Sequence, residues 1–294
     1  MRFRQVRHAV VLALLAAGLP AQGPPLPEPD ISSLPETIRK ELAEARKKAE
    51  AAPGDAQAAG EVGMLYFVYD LSAAAAGCFE RAAALAPTEL RWRYYLGLAR
   101  ERAGEPGGAI DALEQAVAID ASRPPVLVKL ADLLRERDPS RAGELYRKAL
   151  SSDPAVAAAH FGLGECARQA GRGEEALGHY RAAALASPEW AAPHYAAAMI
   201  LASSGRREEA TRHLRLHAAG GERPADDDPL LVALMSRGRN ASMLRREAAR
   251  LAKTGRVEDA VALLRQAIDT DVGGSTSRHH LGLVLAQNGR FEEA

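Results

Sequence analysis

A chain of 294 residues with 38 basic and 38 acidic side chains has no cationic surplus with which to neutralise a phosphate backbone, which excludes nucleic acid as a natural partner. Aromatic residues make up only 5% of it, while alanine is abundant within a hydrophobic share of 47%, a balance that favours closely packed helices over a bulky core. Two cysteines, Cys78 and Cys166, are too few for a disulfide framework, so both are expected to be small unpaired core residues.

From the N-terminus, Arg2, Arg4 and Arg7 precede an apolar run over residues 9–19, and Leu19-Pro20-Ala21 offers a small residue ahead of Gln22. This is the layout of a cleavable signal peptide at residues 1–21. The run is shorter than the roughly 20 residues that span a membrane, and no cysteine follows it, so no stable membrane anchor is expected. Loss of the three arginines leaves 35 basic against 38 acidic residues. Arginine outnumbers lysine 32 to 6, a bias of GC-rich bacterial genomes, and the chain is expected to be exported to a periplasm or secreted. Residues 22–33 are proline-rich and read as an extended linker. Ser33, Pro35 and Glu36 signal a helix start, and Leu34, Ile38, Leu42 and Ala45 form one apolar stripe of a capping helix over residues 34–52.

Beyond it the chain repeats. Gly63, Gly97, Ala131, Gly164 and Ala198 recur at steps of 34, 34, 33 and 34 residues, followed by Ala248 after 50 and Gly282 after 34 more. A second series, Ala75, Ala109, Ala142, Ala176, Ala210, Ala260 and Ala294, is interrupted in the same units. Small residues at fixed phase predict two antiparallel helices per unit, packed closely at those positions. Gly104, Gly171, Gly205, Gly255 and Gly289 suit left-handed caps after first helices, and Pro87, Pro154 and Pro188 close second helices. No alternating strand pattern occurs.

This pattern resembles the tetratricopeptide repeat family, through Tyr95-Leu96-Gly97-Leu98 with Ala109 and Ala116, and through Phe161-Gly162-Leu163-Gly164 with Ala176, Tyr180, Ala183 and Pro188. The resemblance implies an all-α fold, a right-handed α-solenoid of antiparallel helix pairs, with five units over residues 56–222, an irregular insertion over 223–240, and a sixth and a truncated seventh unit over 241–294. The sequence departs from the family where its early aromatic is Arg93, His160 or His194, and where His217 and Glu222 end the fifth unit. The insertion is read as an exposed acidic loop ending in Asp226, Asp227 and Asp228, then a short helix from Pro229 to Met235. Leu281 and Leu285 lack a covering helix at the C-terminal end, so the sequence is expected to be part of a longer protein.

Chemistry is sparse. His213 and His217 lie four apart on one helix face, but with no Glu after His213 and no third ligand they read as packing residues rather than a metal site. His160 and His194, one unit apart, could stack as a ladder. No phosphate loop, nucleophile elbow or haem motif occurs, and neither a metal, a cofactor nor a catalytic residue is expected.

The resemblance implies instead a concave groove for a protein or peptide segment, lined by Tyr94, Leu98, Arg102, Asp132, Arg135, Phe161, Glu165, Arg168, Tyr195 and Met199. Aromatic anchors beside arginines fit a binding surface in which the cations choose acidic ligands. The alternative is that Tyr94 and Tyr195 pack between helices. The expected function is that of a non-catalytic interaction scaffold; the other reading is a recognition arm of a larger enzyme or electron-transfer protein whose chemical domain lies beyond residue 294. Oligomeric state is open.

Overall fold

In the computed structural model, the residues described are 24–221, 228–237, 244–245, 248–249, 251–252, 255–270 and 275–293. The expected signal peptide and most of the expected acidic loop lie outside them.

A helix whose small residues face a partner can approach it closely, and this chain does so repeatedly. After the lone helix α1 (Glu36–Ala51), five hairpins follow: α2 (Ala56–Val68) with α3 (Ser72–Leu85), α4 (Leu90–Arg102) with α5 (Pro106–Ile119), and α6 (Pro124–Leu134) with α7 (Pro139–Ser152). Next come α8 (Ala157–Gln169) with α9 (Gly173–Ala186) and α10 (Ala191–Ser203) with α11 (Arg207–Ala219). A short helix α12 (Pro229–Met235) precedes α13 (Val257–Thr270) and α14 (Ser275–Gln287). The described residues are all-helical, without a strand. The second helices of units one to four also pack against the first helix of the next unit, as α13 does against α14, so the pairs stack as a solenoid whose first helices form the inner wall.

The repeating alanines are where the helices meet. Ala75, Ala109, Ala131, Ala142 and Ala176 are fully buried, and Ala198 and Ala210 nearly so. The glycines leave room for large neighbours. A Cβ on Gly162 would sit 2.2 Å from Cζ of Tyr146, and one on Gly164 2.5 Å from Cε1 of Tyr180.

The turns follow one rule with one exception. Gly104, Gly171, Gly205, Gly255 and Gly289 all adopt φ between +72° and +81°, and the amide after each donates to the carbonyl five residues back, as in Glu105 to Arg100 at 2.8 Å and Arg172 to Ala167 at 2.9 Å. In the first unit Asp70 takes that role at φ +62°. The third unit lacks the left-handed residue altogether. Both interrupted series place its missing residue between Ala131 and Ala142, and there Asp138 closes the turn, its amide on Leu134 O at 2.7 Å and its carboxylate on the Arg141 amide at 3.0 Å.

At the N-terminal end α1 lays Ile38, Leu42 and Ala49 on the first hairpin, covering its open side. The proline-rich stretch is extended, but it does not hang free as a linker. Arg81, anchored on α3, donates to the carbonyls of Pro24 and Pro53, each at 2.7 Å, and Arg46 donates to Pro27 O and to Glu28 at 2.8 Å. Leu26 and Ile31 pack on the core beside these bonds, because a run poor in amide donors can still offer its carbonyls to buried guanidinium groups. Residues 24–34 are thus a strap across the first unit.

The insertion also departs from expectation. Its helix has the anticipated bounds, but Asp228 is only 4% exposed, not part of a solvated loop. Its carboxylate caps the amides of Leu230 and Leu231 at 3.1 and 3.0 Å and accepts the Tyr94 hydroxyl. The α12 helix therefore lies on the first helices of units one and two.

Candidate segment-binding groove

In the first helices of units two to five, one repeat position is held by Tyr94, Val128, Phe161 and Tyr195, at steps of 34, 33 and 34. The structure places the ten expected groove residues in different surroundings, with Glu165 and Arg168 shared between the middle of the wall and the cleft. Tyr94 and Leu98 are buried, at 2% and 6% exposure, and Tyr94 is tied to Asp228. Tyr94 is thereby withheld from any ligand while α12 is in place. Arg102 is drawn to the edge of the first unit, where its guanidinium stacks 4.1 Å over the Phe67 ring and donates to Phe67 O at 3.1 Å and Asp70 at 3.3 Å.

Midway along the wall, Asp132 and Glu165 each receive a hydroxyl from the second helix of their own unit, Tyr146 and Tyr180, both at 2.6 Å. The two tyrosines reach these carboxylates through the gaps left by small residues. Burial, and then Asp132, raise the Tyr146 pKa; burial and the Glu165 bond raise that of Tyr180, so both phenols remain donors. At Glu165 burial pushes the pKa up, but bonds from Arg168 and Tyr180 outweigh it and hold the carboxyl below its ordinary value. Arg168 donates to Glu165 at 2.8 Å, and Arg135 lies 4.0 Å from Asp132. The arginines expected to select acidic ligands are thus already balanced by carboxylates of the same wall, because the repeat places Asp132 and Glu165 one turn away from them.

Phe161, Glu165, Arg168, Tyr195 and Met199 do come together. With Trp190, Ala191, Ala192, Ala196, His217 and Gly221 they line one cleft of about 780 Å³ at the fourth and fifth units. Phe161 fills its floor, 4.8 Å from the Trp190 ring and 5.7 Å from that of Tyr180. Tyr195 and Met199 stand at its mouth, 48% and 52% exposed, an arrangement that costs free energy in water unless a partner covers it.

The sequence reading missed Trp190 and the far edge of the cleft. Here Gly220-Gly221 returns to the start of α10: the Gly221 amide donates to Glu189 O at 2.8 Å, and its carbonyl accepts the Ala191 amide at 2.9 Å. A Cβ on Gly220 would meet Glu189 O at 3.0 Å, so the Gly-Gly pair was the available signal for this close return.

The histidines pack against other rings within their own hairpins, and His160 and His194 form no ladder between units. His213 lies against His194, with the two Nδ1 atoms 3.2 Å apart, whereas His217 stacks on Tyr195 at 5.2 Å and bonds Ala191 O at 3.2 Å. His160 pairs with His179 of its own unit at 5.8 Å rather than with His194. The position that carries an aromatic in the family thus holds a side chain paired across each hairpin, and Arg93 likewise meets Gln115. No group of three metal-ligating side chains occurs among the described residues, Cys78 and Cys166 are free thiols, and no described helix is long and apolar enough to cross a membrane.

Among solved structures, Pseudomonas aeruginosa pilF is similar over 86% of this chain and 97% of its own, at 15% identity and a TM-score of 0.52. MamA from Desulfovibrio magneticus RS-1 is similar over 56% of this chain and 94% of its own, at 14% identity and a TM-score of 0.51. Such identities carry the fold alone. No curated protein sequence matches the chain. A sequence profile described as tetratricopeptide repeat matches residues 71–124, 130–191 and 245–294, more than half of the sequence, and the chain belongs to the tetratricopeptide repeat family.

Proposed function

We propose that this protein is an exported interaction scaffold, without turnover of its own, that holds an apolar protein segment in the open cleft of its fourth and fifth units. One observation carries the reading: Tyr195 and Met199 stand about half exposed at the mouth of an aromatic-floored cleft. Rigid aromatic side chains in a preformed concavity are the surface from which binding hot spots are made. With Arg168 matched to Glu165, the cleft offers apolar area first and charge second.

The test is selection of peptides from a random display library on the purified protein, followed by affinity measurements on the winners. Changing Tyr195 and Met199 together to alanine is expected to weaken those peptides by about 2 kcal/mol, roughly thirtyfold, with an unchanged helical spectrum. Selected peptides that bind the double variant as well as the parent would remove the cleft from the proposal. Export rests on the basic-then-apolar N-terminus, and predicts a mature chain that starts near Gln22 when recovered from outside the cytoplasm; an intact Met1 on cytoplasmic protein alone would refute it.

A further inference from the structure

A helix of seven residues does not hold itself together in water, so the shape of α12 is owed to what it lies on. It is held at both ends and along its length. At its start the Asp228 carboxylate, buried, takes two amides of its own helix and the Tyr94 hydroxyl. Two residues on, the Tyr95 hydroxyl donates to Leu230 O at 2.9 Å. Leu234 is fully buried, and Leu230, Leu231 and Met235 pack on the same core. Past its end Arg237 reaches Glu61 at 2.8 Å. Glu61, Tyr94 and Tyr95 all belong to the first helices α2 and α4, the inner wall. An acid at the cap, leucines at helical spacing and a terminal cation, laid into a groove, make the contact set of a bound helical ligand. Here the ligand is carried by the chain itself, on the stretch that interrupts the repeat register between Ala210 and Ala248.

We propose that the inner wall of the first two units is a docking site held shut by the chain's own residues 228–237, and that it accepts in their place a partner's short helix of the same chemistry: an acidic N-cap, leucines at helical spacing and a basic residue beyond the C-terminal end. This site is separate from the open cleft, and its ligand does not depend on what the cleft binds.

A labelled peptide with the sequence of residues 228–237, blocked at both ends, probes the site on the full chain. A tethered segment competes at an effective concentration of order millimolar, so the parent protein should bind the peptide weakly. Leu234→Asp in the protein weakens the tethered copy and should tighten the peptide by about tenfold or more, since apparent affinity scales with the fraction of open sites. Arg237→Ala, at a half-exposed ion pair, should give a smaller gain in the same direction without threatening the fold. A peptide that itself carries the Leu234→Asp change should not bind. The proposal is overturned if hydrogen exchange finds the α12 amides released in the variants while the peptide binds no tighter. It is equally overturned if Tyr195→Ala with Met199→Ala abolishes peptide binding, because that would assign the peptide to the open cleft.

Discussion

Tyr94 and Tyr195 are the same residue at the same position of their repeat units, yet one is 2% exposed and the other 48%. Repeat phase brings both to the inner wall; what then covers them is decided elsewhere in the chain. The first two units meet α12, which turns Tyr94 into the partner of a buried carboxylate, whereas the Gly220-Gly221 return leaves the cleft in front of Tyr195 open. The inner wall is therefore one surface in two states, closed at one end and open at the other.

The largest effect should come from breaking the closed end. Tyr94→Ala removes a fully packed ring and strips the buried Asp228 of a donor, and should cost about 3–5 kcal/mol in urea denaturation. Tyr195→Ala, losing little buried area, should stay within about 1 kcal/mol. Equal losses at the two sites would mean that Tyr195 is as much a core residue as Tyr94.

A smaller contrast separates glycines that accommodate a neighbour from glycines that merely sit in a helix. Gly162→Ala drives a methyl group into the Tyr146 ring, 2.2 Å from its Cζ, and should cost about 1–3 kcal/mol. Gly178, exposed within α9, has nothing within 4 Å of its would-be Cβ. Gly178→Ala should therefore stabilise by about 0.5–1 kcal/mol through helix propensity. A destabilised Gly178→Ala protein would show that this face of α9 is covered in solution.

These contrasts also show what a reader of the sequence can see. The left-handed glycines, the buried alanines and the one-residue deletion are local or periodic, so spacing alone exposes them. The bounds of α12 were equally legible from Asp228, Pro229 and the apolar run behind them. Its destination was not, because a return over more than 130 residues to Tyr94 and Tyr95 leaves no periodic trace. Among the groove residues, the repeat pattern found those on the inner wall but not their pairing. Arg168 and Glu165 are three apart on one helix, a spacing at which opposite charges satisfy each other before any ligand arrives. Trp190 was missed because it precedes α10, outside the positions that the repeat assigns to the groove.

The gentlest prediction uses pH to tell the two ends apart. Of the eight histidines none lies between residues 9 and 159, while His160, His179, His194 and His213 pair across the hairpins of units four and five. His194 donates from Nε2 to Pro188 O, and its Nδ1 faces that of His213 at 3.2 Å, a contact in which only one of the two nitrogens can carry a proton. Burial and then the facing His194, with Arg181 and Arg212 adding to it and Glu209 opposing, lower the His213 pKa. Burial and then His160, with Arg147 adding and Glu175 opposing, lower that of His179. A histidine with a depressed folded-state pKa leaves the unfolded chain binding more protons, so its contribution to stability is fully present above the unfolded value of about 6.5 and is lost as pH falls through the folded one. With exchange rates corrected for the intrinsic pH dependence of amide exchange, acidification from pH 7.5 to 5 should therefore lower the protection factors in α8–α11 while those of α2–α7 hold, and His179→Gln with His213→Gln should flatten that dependence. Loss of protection that begins in units one to three instead would place the acid-sensitive groups among the carboxylates of the closed end.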